Sequence, residues 1–299
     1  MEVSVLSYGA SSLGGFFGEI TEGEGVQVVR TALDLGINYL DVAPFYGITK
    51  CESVLGKALR GVPRESYFLA TKVGRYHWED FDFSAKRVLD GIDDSLARLR
   101  TDYVDVIQCH DIEFTSSRQI VEETLPALER ARDQGKVRFI GITAFPVKMF
   151  RAVLDRACVD TVLSYSHYVL NDTVLAEELP YLETKGVGVI NGSPLNMGLL
   201  TEHGPQDWHP ASPELRAAAA QAAAFCRARG KDIAKLALQF SAAHPHIHTT
   251  LVGGKNSEHL RRNAAWLEEP FDEDLLAQVL EIFAPVHNQT WTSGLPENN

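Results

Sequence analysis

The chain has 299 residues, of which 45% are hydrophobic and 23% are charged, and it carries a formal net charge of −12. This composition indicates a globular protein, and the negative charge argues against a surface that binds nucleic acid or anionic membranes. No run approaches the roughly 18 apolar residues of a membrane span, and no signal peptide is recognisable, so the sequence predicts a cytoplasmic protein.

The cysteines give no sign of a metal site. Cys51, Cys109, Cys158 and Cys226 are too far apart in the sequence for the spacing of zinc ligands. Their even number permits two disulfides, but free thiols in a cytoplasmic enzyme are the favoured interpretation. The alternating histidines of the segment 244–248 precede the last predicted strand, away from the face where the strands end, so no metal is expected there.

Short apolar segments alternate with amphipathic segments along the whole chain. The apolar ones are continuous runs rich in Val, Ile, Leu and aromatic residues, which is typical of parallel strands buried on both faces. In chain order the predicted strands are Val3–Tyr8, Asn38–Val42, Tyr67–Val73, Val104–Cys109, Arg138–Thr143, Thr161–Ser166, Gly188–Gly192 and Thr249–Gly253. The predicted helices between them are Gly25–Leu35, Ala85–Leu99, Glu122–Gln134, Val174–Lys185 and Pro213–Arg229. Most of these helices stop directly before a glycine, the usual end signal.

Strands that alternate with helices predict an α/β protein with a single (β/α)8 TIM barrel. No change in composition divides the chain, so residues 1–299 are interpreted as one domain. The main alternative is a doubly wound nucleotide-binding fold. That fold lacks its glycine fingerprint here, because Gly23-Glu24-Gly25 is followed by Val28 where the third glycine belongs.

Two segments depart from strict alternation. The polar, turn-rich segment Thr201–Pro213 follows the seventh predicted strand, and an additional C-terminal helix at Asp272–Ala284 precedes an irregular tail that runs to Asn299. Insertions at the C-terminal ends of barrel strands often form the substrate site. Each segment is therefore interpreted either as part of that site or as an ordinary surface excursion.

Four polar residues with complementary acid–base chemistry lie at the ends of three successive predicted strands. They are Asp41 and Tyr46 in LDVAPFYG, Lys72 in FLATKVG and His110 in VDVIQCHD. Because the C-terminal ends of barrel strands open on one face, we expect these side chains to converge there. A phenol titrates near ~10 and is a poor base at neutral pH. A nearby ammonium lowers that pKa, and a paired carboxylate holds the ammonium charged.

Taken singly, each of the four residues also fits a structural role, such as a helix cap, a packing aromatic or a solvated strand end. Their occurrence in this order, each after a strand, favours a proton-transfer site.

The same segments resemble the aldo-keto reductase superfamily over nearly the whole chain. The strings GINYLDVAPFYG, TKVG and QCHD match its catalytic tetrad, and GKVRFIGIT, GVGVINGSPLNMGLL and LVGGKNSEHLRRN match its cofactor-contact segments. Within the family, FDFSAKRV, DYVDVIQCHDIEF, LSYSHYVLND and DWHPASPELR resemble plant L-galactose dehydrogenases and bacterial aldose 1-dehydrogenases of the L-fucose dehydrogenase type. The first eight residues leave no room for the N-terminal hairpin that often plugs such barrels. Val3–Tyr8 is therefore either the first barrel strand or part of a plug.

The resemblance implies an oxidoreductase, an NAD(P)-dependent aldose 1-dehydrogenase, in which Asp41, Tyr46, Lys72 and His110 are catalytic. Tyr46 would take the proton of the C1 hydroxyl while a hydride leaves C1 for the nicotinamide, which gives a lactone. His110 would hydrogen-bond the reacting oxygen. L-galactose, L-fucose and D-arabinose share the relevant ring stereochemistry, so all three remain open as substrates.

Two other functions remain as alternatives. One is an NADPH-dependent reductase of aldehydes or ketones that uses the same tetrad in reverse. The other is a non-catalytic, cofactor-binding regulatory module like the potassium-channel beta subunits. The partner expected is a small-molecule sugar, with neither nucleic acid nor membrane, and the protein is expected to be a monomer or a weak homodimer.

The resemblance also implies which residues contact the cofactor. The predicted contacts are Gly9, Ala10, Thr143, Ser164, Ser193, Leu195, Gly198, Leu200, Gly253, Lys255, Ser257 and Asn263. Members of the family usually hold the carboxamide with Ser-Asn and Gln, whereas this chain has Thr143-Ala144 and Ser164, whose side chains reach less far. His259 stands where NADPH-preferring members often carry an arginine for the 2′-phosphate, which favours NAD. The adjacent pair Arg261-Arg262 leaves NADP open.

Sugar sites commonly combine aromatic faces with a few polar groups. On that basis the candidate substrate contacts are Tyr76, His77, Trp78, Asp111, Glu113, His167 and Trp291. Some of these residues have an alternative interpretation as rim or packing residues.

Overall fold

The computed structural model describes residues 1–15 and 18–299 of the chain. Eight parallel strands form a closed barrel in sequence order, and the first strand pairs with both the second and the eighth. The strands are β1 Leu6–Gly9, β2 Tyr39–Asp41, β3 Phe68–Val73, β4 Val104–Cys109, β5 Val137–Ala144, β6 Thr161–Tyr165, β7 Gly188–Gly192 and β8 Thr249–Val252. The predicted (β/α)8 barrel is confirmed, and the segment Val3–Tyr8 supplies its first strand rather than a plug.

Helices surround the barrel in the part of the chain that the structure describes. They are α1 Glu22–Asp34, α2 Lys50–Ala58, α3 Ala85–Leu99, α4 Ser117–Gln119, α5 Leu125–Asp133, α6 Lys148–Leu154, α7 Val174–Thr184, α8 Pro213–Arg227, α9 Ile233–Ala242, α10 Ser257–Glu268 and α11 Glu273–Phe283. A π-helical stretch, Ile120–Thr124, joins α4 to α5. None of these helices is long and apolar enough to cross a bilayer.

Besides the three-residue α4, four helices, α2, α6, α9 and α10, lie where the sequence analysis predicts none. The first two have only nine and seven residues, which is too short to show a clear amphipathic period. Helix α9 is buried on most of its sides, so it has no polar stripe, and α10 is mostly polar and buries few residues. Helix α3, in contrast, spans the predicted range and buries an amphipathic stripe of Val88, Ile92, Leu96 and Leu99.

The barrel interior changes from apolar to polar towards the C-terminal ends of the strands. Tyr39, Ala70 and Val106 belong to a buried cluster that also contains Leu163, Ile190 and Leu251 from later strands. Side chains two residues apart on a strand share a face. The next inward positions on β2, β3 and β4 are therefore Asp41, Lys72 and Gln108, all at most 2% exposed. This alternation carries a polar group to one end of an otherwise apolar barrel.

The C-terminal part of the chain adds a second buried cluster and a tail. Helix α11 packs against α8, and their apolar faces form a core separate from the barrel. The tail beyond α11 then reaches Glu113, just after β4, whose carbonyl oxygen accepts hydrogen bonds from the backbone N–H of Leu295 (2.9 Å) and from Asn298 Nδ2 (2.8 Å). The tail therefore lies over the end of the barrel at which the polar strand positions emerge. All four cysteines are free thiols, as the sequence analysis favours.

Candidate active site

A buried ion pair lies at the C-terminal end of the barrel. Lys72 Nζ donates hydrogen bonds to Asp41 Oδ1 and, at 2.9 Å, to the carbonyl oxygen of Val42. Gln108 Nε2 donates to Asp41 Oδ2 at 2.8 Å, so both carboxylate oxygens have a partner. Burial alone lowers the pKa of Lys72, but Asp41 and Tyr46 outweigh burial and raise that pKa above its usual value. The ammonium is therefore charged at neutral pH.

Tyr46 lies beside this ammonium. It occupies a tight turn after β2, in which Gly47, Ile48 and Thr49 all have left-handed backbone conformations. Its ring centroid is 4.9 Å from Lys72 Nζ and 5.5 Å from the imidazole of His110, to which it is nearly perpendicular. The structure thus brings the four predicted catalytic residues together.

The net pKa of Tyr46 differs from the sequence expectation. Burial raises the pKa of Tyr46 to about 12, although the Lys72 ammonium acts in the predicted direction and lowers it. Desolvation disfavours a phenolate more strongly than this one ammonium stabilises it. Tyr46 therefore holds its proton in this structure, and Lys72 reduces the cost of losing it.

His110 is a neutral, buried imidazole. Burial lowers its pKa to about 3, and the nearby Lys72 and Arg75 charges act in the same direction, while Asp111 opposes them. A neutral imidazole carries one N–H donor and one bare nitrogen acceptor. Its Nδ1 atom is buried and has no partner among the described residues, whereas Nε2 lies 3.7 Å from Asp111 Oδ2. The ring can therefore donate a hydrogen bond to a reacting oxygen without bringing a charge.

Asp111 is held by two groups, one of which the sequence analysis misses. The guanidinium of Arg75, which follows β3, forms an ion pair with Asp111 Oδ2 and stacks over Phe45 at 3.9 Å. The Thr143 hydroxyl accepts from the backbone N–H of Asp111 at 2.8 Å and donates to Asp111 Oδ1 at 3.2 Å. Asp111 itself has a left-handed backbone, with φ +54°. Burial works against ionisation of Asp111, but the Arg75 guanidinium and the hydrogen bond from Thr143 lower its pKa below the usual value.

Glu113 behaves in the opposite way. Burial raises the pKa of Glu113 to about 8, and the Asp111 carboxylate adds to this effect. Its Oε1 accepts a hydrogen bond from the Ser293 hydroxyl of the tail at 2.9 Å, and its Oε2 is buried without a partner among the described residues. Gly294, with φ +80°, passes so close to Glu113 that a Cβ there would collide with the Glu113 carbonyl oxygen. The tail thus docks on a carboxyl group that is neutral at pH 7.

Aromatic rings form one wall of the mouth, which is the open C-terminal end of the barrel where the four catalytic candidates lie. Phe145 lies at the centre of this wall, with its ring stacked 4.9 Å from that of Trp291 and 4.4 Å from the imidazole of His167. The ring of Tyr165, the last residue of β6, lies 5.2 Å from the ring of Phe145. The turn-rich segment that follows β7 reaches the same wall, because the imidazole of His209 is 5.3 Å from Trp291.

The structure brings some predicted substrate contacts together and separates one. Trp78 lies edge-on to Phe45 at 5.0 Å, and Phe45 in turn adjoins His110 at 6.0 Å. His77 is exposed. Tyr76 instead packs against α3, where its hydroxyl donates to the Arg87 carbonyl oxygen at 3.3 Å and its ring lies under the Arg87 guanidinium. Tyr76 therefore lies apart from the mouth, since the chain turns between positions 76 and 78.

The structure also does not bring Ser164 to the mouth. Its neighbours on β6, Leu163 and Tyr165, belong to or pack against the cluster inside the barrel. Alternation therefore turns the Ser164 side chain outwards, in register with Asn191. The hydroxyl of Thr143 points inward but already bonds Asp111. The expected carboxamide contacts of Thr143 and Ser164 remain unsupported by this geometry.

The remaining predicted cofactor positions lie at the ends of β1, β7 and β8. Gly9 ends β1 and adjoins Gly253, which follows β8, and Ala10 comes next in the chain. Ser193 and Gly198 have left-handed backbones in the turns after β7, beside Leu195 and the fully buried Leu200. Lys255 precedes α10. Helix α10 itself carries Ser257, whose hydroxyl accepts from Thr31 at 2.8 Å, and the buried Asn263.

A dinucleotide fits such a mouth. His110 Nδ1 and Ser166 Oγ are buried polar atoms without partners in the described part of the chain, and a ligand rich in polar groups would supply those partners. Gly9 and Gly253 have no side chains, so a dinucleotide has room to approach their backbone closely. No group of three or more potential metal ligands occurs among the described residues.

Comparisons with known proteins identify the family of the chain. A profile of the aldo/keto reductase family matches residues 5–283. The chain is 51% identical to L-galactose dehydrogenase of Arabidopsis thaliana, with 100% of this chain and 96% of that protein covered. It is 30% identical to D-arabinose 1-dehydrogenase of Saccharomyces cerevisiae, with 90% and 87% covered. The solved holo structure of an aldo-keto reductase from Bacillus halodurans superposes with a TM-score of 0.79 at 26% identity, covering 97% of this chain and 94% of that one. The chain therefore belongs to the aldo/keto reductase family.

Proposed function

We propose that this protein oxidises the anomeric C1 hydroxyl of an aldose to a lactone and transfers the hydride to NAD(P)+. The observation that carries the proposal is the cluster of Tyr46, Lys72, Asp41 and His110 at the barrel mouth, in which one phenol lies between an ammonium and a neutral imidazole. The similarity to L-galactose, D-arabinose and D-threo-aldose dehydrogenases supports a sugar as the substrate.

The residues of the chain have separate tasks in this reaction. When bound, the nicotinamide cofactor supplies the hydride acceptor. Tyr46 takes the proton of the C1 hydroxyl as the C1–O bond becomes a double bond, and it later returns that proton to solvent. Lys72 stabilises the phenolate that must form first, and Asp41 and Gln108 hold Lys72 in place. General acid–base catalysis of this kind contributes about 10²–10⁴-fold to the rate.

His110 orients the reacting oxygen. Its imidazole is neutral because burial lowers its pKa to about 3, so the ring does not compete with Tyr46 for the proton at physiological pH. Asp111, with its lowered pKa, and the neutral Glu113 are two carboxyl groups in different protonation states beside it. Between them they offer a sugar both hydrogen-bond acceptors and a donor.

We propose L-galactose as the preferred sugar, with L-fucose and D-arabinose as alternatives. The mouth offers an aromatic wall, centred on Phe145 and Trp291, and polar groups at Asp111, Glu113 and His167. Stacking of a sugar's C–H face on aromatic rings with hydrogen bonds to its hydroxyls suits such a lining. Trp78 is proposed to contact the sugar from the opposite rim, beside Phe45.

NAD is proposed as the preferred cofactor. The backbone N–H of His259 donates to the Asn256 side chain at 2.8 Å in the first turn of α10. Burial and the neighbouring Arg262 and Lys255 charges lower the pKa of His259, so its imidazole is neutral at pH 7 and lacks the charge that would attract a 2′-phosphate. The Arg262 guanidinium stacks over Trp266 at 4.8 Å. Both observations favour a cofactor without that phosphate.

Reduction of an aldehyde or ketone is the second candidate. This direction is favoured by the protonation state of Tyr46. With a pKa of about 12, its hydroxyl is protonated at neutral pH and can donate a proton directly to the substrate. The same four residues would then work in the opposite direction.

A cytoplasmic location is supported by the four free thiols, which suit a reducing compartment. We propose that the protein works there as a monomer or weak homodimer.

The test is an assay of initial rates with purified protein, a panel of aldoses and either NAD or NADP, read at the absorbance of the reduced nicotinamide. We expect the fastest reaction with L-galactose and NAD. Tyr46→Phe should lower kcat by at least about 10² while cofactor binding persists, and Tyr76→Phe is the matched control that leaves kcat unchanged. Faster reduction of aldehydes by NADPH would favour the second candidate, and cofactor binding without any turnover would favour a regulatory role.

A further inference from the structure

A second histidine–carboxylate pair lies in the mouth, outside the catalytic four. His167 follows β6, and its Nδ1 lies 3.0 Å from Asp172 Oδ2. Both residues are at most 3% exposed. The other oxygen of Asp172 accepts from the backbone N–H of Val174 at 3.1 Å, so the carboxylate acts as an acceptor on both sides. Because a carboxylate can only accept, Nδ1 of His167 carries the proton and Nε2 presents a lone pair when the ring is neutral.

The segment that carries this pair is short and firmly hydrogen-bonded. Val169 and Asp172 exchange two backbone hydrogen bonds, of 2.8 and 3.1 Å, across an isolated antiparallel bridge. The carbonyl oxygen of His167 accepts from the backbone N–H of Leu175 at 2.9 Å, at the start of α7. The imidazole is thus held in a six-residue segment, residues 167–172, that is hydrogen-bonded at both of its ends, which is the kind of support that a recognition group needs.

The free nitrogen of this ring is buried and has no partner. His167 Nε2 makes no hydrogen bond with any of the described residues. The ring lies against Phe145, which links it to Trp291 on one side and to Tyr165 on the other. Tyr165 packs against the cluster inside the barrel, and Trp291 stands two residues before Ser293, whose hydroxyl donates to Glu113 Oε1 at 2.9 Å. His167 therefore belongs to the wall of the same mouth as the catalytic residues.

A hydrogen-bond acceptor that is buried in such a wall without a partner lowers the stability of the protein, because a buried polar atom without a partner is destabilising relative to one that is hydrogen-bonded. A hydroxyl group is a suitable partner, because it donates one hydrogen bond to Nε2 and keeps its own lone pairs for other donors. A site of this kind discriminates strongly against an analogue that lacks the hydroxyl.

We propose that His167 Nε2 accepts a hydrogen bond from a hydroxyl of the sugar other than the one at C1, and that Asp172 is the positioning residue that sets the tautomer. The proposal rests on the proposed aldose oxidation and deepens it by naming a specificity-determining group. The occupant is a sugar hydroxyl, and a permanently bound water is the alternative that the experiment distinguishes.

The test compares kcat/KM of the wild type and His167→Phe on L-galactose and on analogues that each lack one hydroxyl, L-fucose among them. We expect one deoxy sugar to lose at least tenfold in the wild type. We expect His167→Phe to lose a similar factor on L-galactose but nothing further on that same deoxy sugar. His167→Gln, whose amide oxygen can accept the same hydrogen bond, should recover part of the loss, and it serves as the second variant if the phenylalanine impairs folding.

The role of Asp172 has its own readout. In ¹⁵N NMR of the imidazole nitrogens, the wild type should show His167 protonated at Nδ1. Asp172→Asn should shift this signature and raise KM for L-galactose more than it lowers kcat.

Three results would overturn the proposal. An equal loss on every sugar in His167→Phe means a structural role, and an unchanged kcat/KM means that water or nothing occupies the site. If the wild type turns over no sugar, the proposed function itself is overturned, and the role proposed for His167 and Asp172 fails with it.

Discussion

The neutral state of Glu113 predicts a stability change with a definite sign. In the unfolded chain this carboxyl titrates near its ordinary value of 4.5, whereas burial and the Asp111 charge raise the pKa to about 8 in the folded protein. Between these pH values the folded state binds one more proton than the unfolded state. The stabilisation from this group is therefore complete below pH 4.5 and is lost progressively as the pH rises through 8.

The expected magnitude follows from the size of the pKa shift. Each pH unit inside this window lowers the free energy of unfolding by about 1.4 kcal/mol. Glu113→Gln keeps the shape of the side chain but cannot ionise, so it escapes this loss. The free energy of unfolding of the variant minus that of the wild type should rise by roughly 3 kcal/mol between about pH 5 and pH 7.5. This is a large part of the total stability of an ordinary domain, about 5–15 kcal/mol.

The assay is urea unfolding of both proteins at several pH values between these limits. Subtraction removes the other titrating groups, which are the same in both proteins. Glu297→Gln is the matched control, because Glu297 is an exposed carboxyl on the same tail, and its difference from the wild type should stay constant with pH. A difference for Glu113→Gln that is also constant with pH would mean that Glu113 is ionised in the folded state, and the reasoning would be refuted.

Three further predictions concern the site and the tail. Gln108→Leu leaves Asp41 Oδ2 without a donor. We therefore expect a free energy of unfolding in urea that is about 1–3 kcal/mol lower, and a lower kcat. An unchanged kcat would contradict the positioning role of Gln108. Gly294→Ala meets both the left-handed backbone and the Glu113 carbonyl oxygen, so KM for the sugar should rise as the tail is displaced. Gly36→Ala, at φ +80° in open space, controls for backbone strain alone; equal effects of the two substitutions would count against tail docking. Sugar oxidation should accelerate from about pH 7 to 9, because a base whose pKa lies near 12 gains phenolate throughout that range; a flat profile would remove Tyr46 as the base.

The barrel and the catalytic four were predictable because both depend on local patterns. Strands buried on two faces leave continuous apolar runs, and the C-terminal end of every strand lies within one residue of its predicted position. A polar residue just beyond such a run, like His110, must then lie at the mouth. The same alternation could have located Gln108, which stands two residues before His110 on the same face of β4.

The parts that were not predictable depend on the conformation of loops and on the balance of opposing effects. The contact of Arg75 with Asp111 joins the loops after β3 and β4 and requires the left-handed backbone of Asp111. The direction of Tyr76 depends on a turn whose geometry no periodicity encodes. For Tyr46 the proximity of Lys72 was foreseeable, but the sequence does not tell how completely the protein surrounds the hydroxyl, and burial decides the sign of the pKa shift.

The most direct test of the central claim follows one hydrogen atom. L-galactose labelled with deuterium at C1 is incubated with the protein and NAD, and the reduced cofactor and the sugar product are analysed by mass spectrometry. The account predicts deuterium on the reduced nicotinamide, one lactone formed for each cofactor reduced, and loss of both products in Tyr46→Phe. Reduced cofactor without deuterium, or a labelled sugar that is recovered unchanged, would contradict oxidation at C1.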